Sequence, residues 1–155
     1  MQEKSKLFVD GSVNPQKAVG YGAYLYCDDI SLCTSQNVVT KRFENTSSTK
    51  LEIETLIWAV KDLSLESSFI VYTDCQNILS LLQRKQKLES SNYTTKTGKS
   101  IKNKSLYKEF FDLYEKYDFE IVKVKGHKKS STKDSIDSTF SFVDKVSRLR
   151  LRQEF

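Results

Sequence analysis

Apolar residues fall along the chain in two alternating rhythms. Leu7-Phe8-Val9 is a short unbroken run closed by Asp10-Gly11, the pattern of a strand covered on both faces. Tyr21–Cys27 and Ile30–Val39 are rich in β-forming residues, and Asp28-Asp29 between them predicts a hairpin turn. From Thr49 to Leu63 the spacing becomes helical, with apolar positions 53, 56, 57, 60 and 63 on one stripe. Phe69–Thr73 predicts a second buried strand, ended by Asp74, and Gln76–Lys87 a helix carrying Ile78, Leu79, Leu81 and Leu82. Residues 88–103 show no period and predict a loop. Leu106–Tyr117 predicts a helix, Asp118–Lys125 a strand ended by Gly126, Lys128–Asp137 a polar loop, and Ser138–Arg152 a closing helix. The order β-β-β-α-β-α-α-β-α predicts an α/β domain with a mixed sheet, antiparallel at first and parallel across the helical crossovers. No repeat or linker divides the chain, so one domain over residues 1–155 is expected.

Composition removes several classes of protein. Of 155 residues, 38% are hydrophobic and 12% aromatic, which excludes a disordered tail. No uninterrupted apolar stretch exceeds five residues, whereas a membrane span needs roughly 20. Glu3, Lys4 and Lys6 occupy the N-terminus where a signal peptide would be apolar, so a cytoplasmic location is expected. Cys27, Cys33 and Cys75 are odd in number and contain no CxxC pair, which predicts reduced thiols and no zinc site. One histidine excludes a multi-His metal centre. Any metal must then sit on carboxylates, which suit hard ions such as Mg²⁺ or Mn²⁺.

Four acidic positions stand out. Asp10 and Asp74 each follow an apolar strand, and ligands of open α/β sheets gather outside the carboxyl ends of parallel strands. The common alternative is that such an Asp simply starts a turn. Glu52 lies in the first turn of its helix. With Glu52 at zero, Leu56, Val60 and Leu63 fall at about 40°, 80° and 20° for a step of roughly 100° per residue. Glu52 therefore borders the buried stripe, while Glu54 faces the solvated side with Lys61 and Asp62. A carboxylate at a buried edge needs a partner, either a cation or a basic side chain. Two candidates remain for a fourth position: Asp144, amid Phe140, Val143 and Val146, is preferred, and Asp137 at the helix entrance also suits a cap. His127, in a Lys-rich loop, reads most simply as an exposed histidine, although histidine is also the side chain suited to proton shuttling near neutral pH. Cys75 fits a buried spacer better than a nucleophile. Thr49 with Glu52 matches a capping box, although hydroxyls at a helix start also suit phosphate oxygens.

The formal charge of +5 is unevenly spread. Residues 84–108 carry eight basic side chains and one acid, a net +7, leaving −2 for everything else. Lys123, Lys125, Lys128, Lys129 and Lys133 form a second basic block. Either block could be a solvated face. Positive charge flanking clustered carboxylates is also what a metal-dependent nuclease requires.

These pieces together resemble the type I ribonuclease H family. The matching segments are FVDGS around Asp10, YGAYLY, TKLEIETLIWAV around Glu52, VYTDCQNI around Asp74, VKGH ending in His127 and VDKVSR around Asp144. They occur in family order over nearly the whole chain. The resemblance implies a five-stranded mixed sheet flanked by helices, and Mg²⁺-dependent endonucleolytic hydrolysis of the RNA strand in RNA–DNA hybrids. It implies that Asp10, Glu52, Asp74 and Asp144 ligate two divalent ions, normally Mg²⁺ with Mn²⁺ as a substitute. His127 would assist proton transfer or product release, and the products would carry 5′-phosphate and 3′-hydroxyl ends. Asn14, Ser48, Thr49 and Gln76 fall where the family contacts the hybrid. The Lys-rich stretch with Lys96, Lys99 and Lys102 resembles its basic protrusion. A stand-alone monomer without an obligate protein partner is expected. The competing expectations are a resolvase- or integrase-like nuclease acting on DNA and a non-catalytic hybrid-binding module.

Overall fold

The computed structural model describes residues 4–65, 68–125 and 134–155. Five strands form one sheet: β1 (Ser5–Asn14), β2 (Val19–Cys27), β3 (Val39–Glu44), β4 (Phe69–Thr73) and β5 (Phe119–Lys123). Among the described residues, five α-helices accompany them: α1 (Ser48–Leu63), α2 (Gln76–Gln83), α3 (Lys85–Ser90), α4 (Lys104–Lys116) and α5 (Ser135–Glu154). Strand order is β3-β2-β1-β4-β5, with β1–β2 and β2–β3 antiparallel and β1–β4 and β4–β5 parallel. This is the expected mixed sheet flanked by helices. Among the described residues, no helix is long and apolar enough to cross a membrane.

Central strands explain the apolar runs. In β1, Leu7 and Val9 join the core beneath α1 and α4, whereas Phe8 joins the opposite cluster with Phe140 and Val143 of α5. Successive strand side chains point to opposite faces, so a strand covered on both sides must be apolar throughout. Fully buried Phe8, Phe69 and Phe110 are the largest side chains of the interior.

The structure departs from the expected elements at five places. First, β1 does not stop at Asp10 but continues to Asn14, because β2 keeps pairing with it as far as Asn14↔Val19. Its parallel pairing with β4 ends earlier, at Phe8↔Tyr72, so Asp10 lies where the two strands part. Second, Ile30–Val39 is not a strand. Asp29 caps a 3₁₀ turn at Ile30–Leu32, and Thr34 forms a capping box with Asn37 over a second turn at Ser35–Asn37. Such short polar side chains bond the local backbone in place of a sheet ladder, and β3 begins only at Val39. Third, Gln76–Lys87 is interrupted at Arg84, and its continuation α3 extends to Ser90, into the expected loop. Fourth, Cys27 and Cys33 form a disulfide with Cα atoms 6.5 Å apart, leaving Cys75 free. The 3₁₀ turn folds the chain back so that Cys33 returns beside the last residue of β2, within ordinary bridging distance. Fifth, the polar loop before α5 was expected to reach Asp137, but α5 already starts at Ser135; residues 126–133 lie outside the described part.

Candidate metal centre

The site is assembled at the end of the sheet where β1 and β4 separate. Asp74 directly follows β4, and Asp10 lies on β1 two residues beyond its last pairing with β4. Glu52 comes from the first turns of α1, which reaches the site because the sheet beneath it is lined with glycine. Gly11 of β1 pairs with Gly22 of β2. A Cβ on Gly11 would lie 2.9 Å from Leu51 Cδ2, and one on Gly22 would overlap the Thr55 hydroxyl. With no side chains there, α1 sits close enough to bring Glu52 to Asp10.

Carboxylate oxygens of Asp10, Glu52 and Asp74 lie within 4.8 Å of one another. Asp10 is 4% exposed. Burial, then the charges of Glu52 and Asp74, then a hydrogen bond with Asp144, hold Asp10 well above the usual carboxylate range; the Gly11 N–H opposes this. Burial, reinforced by Asp74 and Asp144, pushes Glu52 up to about 8. Glu52 Oε2 is buried and has no hydrogen-bond partner. Crowded acids with a buried oxygen left unsatisfied are expensive unless a cation neutralises them. The donor set is all oxygen, the preference of Mg²⁺ and Mn²⁺. These residues therefore fit a hard divalent ion.

The two candidates on α5 separate by geometry. Asp144 reaches Asp10, and its Oδ1 also forms an ion pair with Arg148 Nε at 3.1 Å. Asp137 instead completes a capping box: its N–H donates to Asp134 at 2.8 Å, and its carboxylate accepts from the Asp134 N–H at 3.2 Å. It lies two helical turns, about 10 Å along the axis, from Asp144. The capping box expected for Thr49 and Glu52 is absent. Ser47 is the N-cap of α1, accepting from the Lys50 N–H at 3.3 Å, so Glu52 is left to face the acids. Burial, followed by Glu52, pushes the Cys75 thiol up, consistent with a spacer and not a thiolate nucleophile. His127 lies outside the described residues.

A family model described as RNase H matches residues 2–140. The chain belongs to the ribonuclease H family. Asp144 lies beyond the matched span, so its place beside Asp10 rests on the geometry of α5. Two ribonuclease H relatives show the extent of the likeness. Ribonuclease HI of Helicobacter pylori is 27% identical over 140 residues, covering 89% of this chain and 90% of its own. Ribonuclease H of Caldicellulosiruptor saccharolyticus is 26% identical over 118 residues, covering 74% of this chain and 77% of its own. The fold is also similar to a foamy viral protease-reverse transcriptase solved in complex with an RNA/DNA hybrid. That match has a TM-score of 0.73 at 15% identity, and covers 96% of this chain and 20% of the viral one.

The other residues singled out in the sequence lie outside the acidic cluster. Asn14 ends β1, and its side-chain oxygen accepts from the N–H groups of Gln16 and Lys17 at 3.1 and 3.2 Å. Ser48 is exposed at the start of α1. Thr49 lines a cavity of 110 Å³ with Asn77, Arg84 and Tyr107, polar neighbours that no local sequence signal links to it. Gln76 opens α2; its Oε1 accepts from Lys123 Nζ at 3.0 Å. Lys96, Lys99 and Lys102 are exposed on the segment between α3 and α4.

Proposed function

We propose that this chain binds RNA–DNA hybrids and hydrolyses the RNA strand endonucleolytically, leaving 5′-phosphate and 3′-hydroxyl ends. In this reading Asp10, Glu52, Asp74 and Asp144 hold two divalent ions, Mg²⁺ or in its place Mn²⁺. The observation that carries it is the packing of Asp10, Glu52 and Asp74 around a buried, unpartnered Glu52 oxygen. When bound, such ions supply an activated water and neutralise charge on the departing oxygen.

The chain's own residues supply the rest. The four carboxylates hold the ions at the mouth of the sheet. Asn14, with its oxygen engaged by backbone N–H groups, offers its amide hydrogens to the hybrid. Ser48, Thr49 and Gln76 contribute hydroxyl and amide groups at the starts of α1 and α2, suited to the 2′-hydroxyls that distinguish RNA from DNA. Lys96, Lys99 and Lys102 attract the phosphate backbone. His127 is assigned proton transfer or product release. In the same reading the chain is a single domain over residues 1–155 and acts as a cytoplasmic monomer.

The test is cleavage of a labelled RNA–DNA hybrid beside single-stranded RNA, duplex RNA and duplex DNA. Cutting confined to the RNA strand of the hybrid is expected. Hybrid binding without Mg²⁺-dependent cutting would mark a non-catalytic module. Cutting of duplex DNA alone would mark a resolvase- or integrase-like enzyme.

A further inference from the structure

On β1, the residues facing α5 are Phe8, Asp10 and Ser12, alternating with Leu7, Val9 and Gly11 toward α1. Along α5, Phe140, Asp144 and Ser147 descend one stripe at helical spacing. The two series meet in order. Phe8 packs in one cluster with Phe140 and Val143, Asp10 meets Asp144, and Ser12 Oγ lies 2.9 Å from Ser147 Oγ. Two strand residues advance about 6.7 Å and three to four helical residues about 5–6 Å, so strand and helix stay in step over three rungs.

The third rung has a direction. Ser147 is 0% exposed, and its hydroxyl donates to the Asp144 carbonyl at 2.9 Å. A hydroxyl has one proton to give. Ser12 must therefore be the donor to Ser147, and the chain runs from the Ser12 hydroxyl through Ser147 to the backbone of Asp144. The middle rung, in contrast, is a pair of acids that repel once both are ionised. It is held between an apolar rung on one side and this hydroxyl relay on the other.

We propose that Ser147, acting with Ser12, is a positioning residue that fixes the separation of Asp144 from Asp10 and thereby the capture of the divalent ion between β1 and α5. The inference rests on the reading of Asp144 as a metal ligand. Neither hydroxyl touches the reacting atoms; both act through the placement of Asp144.

The experiment compares Ser12→Ala, Ser147→Ala, the double variant and Ser12→Thr by calorimetric Mg²⁺ titration, hybrid-cleavage kinetics and unfolding in EDTA. Loss of the relay should weaken Mg²⁺ binding about fivefold, the equivalent of one net hydrogen bond. The rate kcat should fall in parallel, with KM for the hybrid unchanged. The double variant should be no worse than either single one, and Ser12→Thr, which keeps the hydroxyl, should behave as the native chain. If Ser147→Ala fails to fold, the partly exposed Ser12→Ala carries the same comparison. Reduced unfolding stability with unchanged Mg²⁺ affinity and kcat would overturn the inference and leave a packing role. An Asp144→Asn control separates the two levels. If it also leaves Mg²⁺ affinity intact, the ligand reading itself fails.

Discussion

Glu52 shows most directly how one residue links stability to chemistry. Its folded carboxyl titrates at about 8 against an ordinary 4.5, because burial and two acidic neighbours oppose its charge. Below 4.5 it is protonated in both folded and unfolded chains, and its ionisation costs nothing. Between 4.5 and 8 the unfolded chain has released a proton that the folded chain still holds, so stability falls as pH rises; above 8 the loss is complete. Urea unfolding in EDTA should therefore show stability declining across this window. Glu52→Gln should flatten the decline, and saturating Mg²⁺ should reverse most of it. At the fourth position, Asp137→Ala should cost about 1 kcal/mol of capping energy and keep hybrid cleavage. Asp144→Asn should abolish cleavage with little effect on folding. Thiol titration of the unreduced, unfolded chain should find one free group, Cys75, since Cys27 and Cys33 are joined.

Elements place these residues, and here the sequence is legible only in part. Phe69–Thr73 matches β4 because a strand buried on both faces is apolar from end to end, and its turn follows at once. The end of β1 is not legible in the same way. Whether a strand passes through Asp10-Gly11 depends on β2 supplying partners as far as Val19, and no local pattern announces that. β3 is also obscure, since it is an edge strand whose residues are mostly exposed. Helical phase placed Glu52 at the border of the buried stripe, but not its distance from Asp10. That distance depends on Gly11 and Gly22, whose missing side chains let α1 settle on the sheet. Gly22→Ala should push against Thr55 and Phe43, destabilise the fold by about 1–3 kcal/mol in urea unfolding, and weaken Mg²⁺ binding by moving Glu52. Asp137 and Asp144 could not be separated by spacing alone, because the decision lies in where α5 begins and which strand it crosses.

At the scale of the whole molecule, charge is divided between a carboxylate centre and a basic flank. The +7 of residues 84–108 lies outside that centre, with Lys96, Lys99 and Lys102 exposed between α3 and α4. Replacing these three lysines by alanine should weaken hybrid binding at every sequence. The slope of log affinity against log salt should shrink by about 2 to 3, with kcat for bound hybrid retained. A slope that does not change would place the phosphate contacts elsewhere. The role proposed for the acids of this fold is to hold ions that promote cutting of RNA within a hybrid. Its most direct test follows an end-labelled RNA strand, paired with DNA, through incubation with the native chain and with Asp10→Asn, each in Mg²⁺ and in EDTA. RNA fragments should appear only from the native chain in Mg²⁺. Fragments from Asp10→Asn at the native rate, or from the native chain in EDTA, would contradict that role.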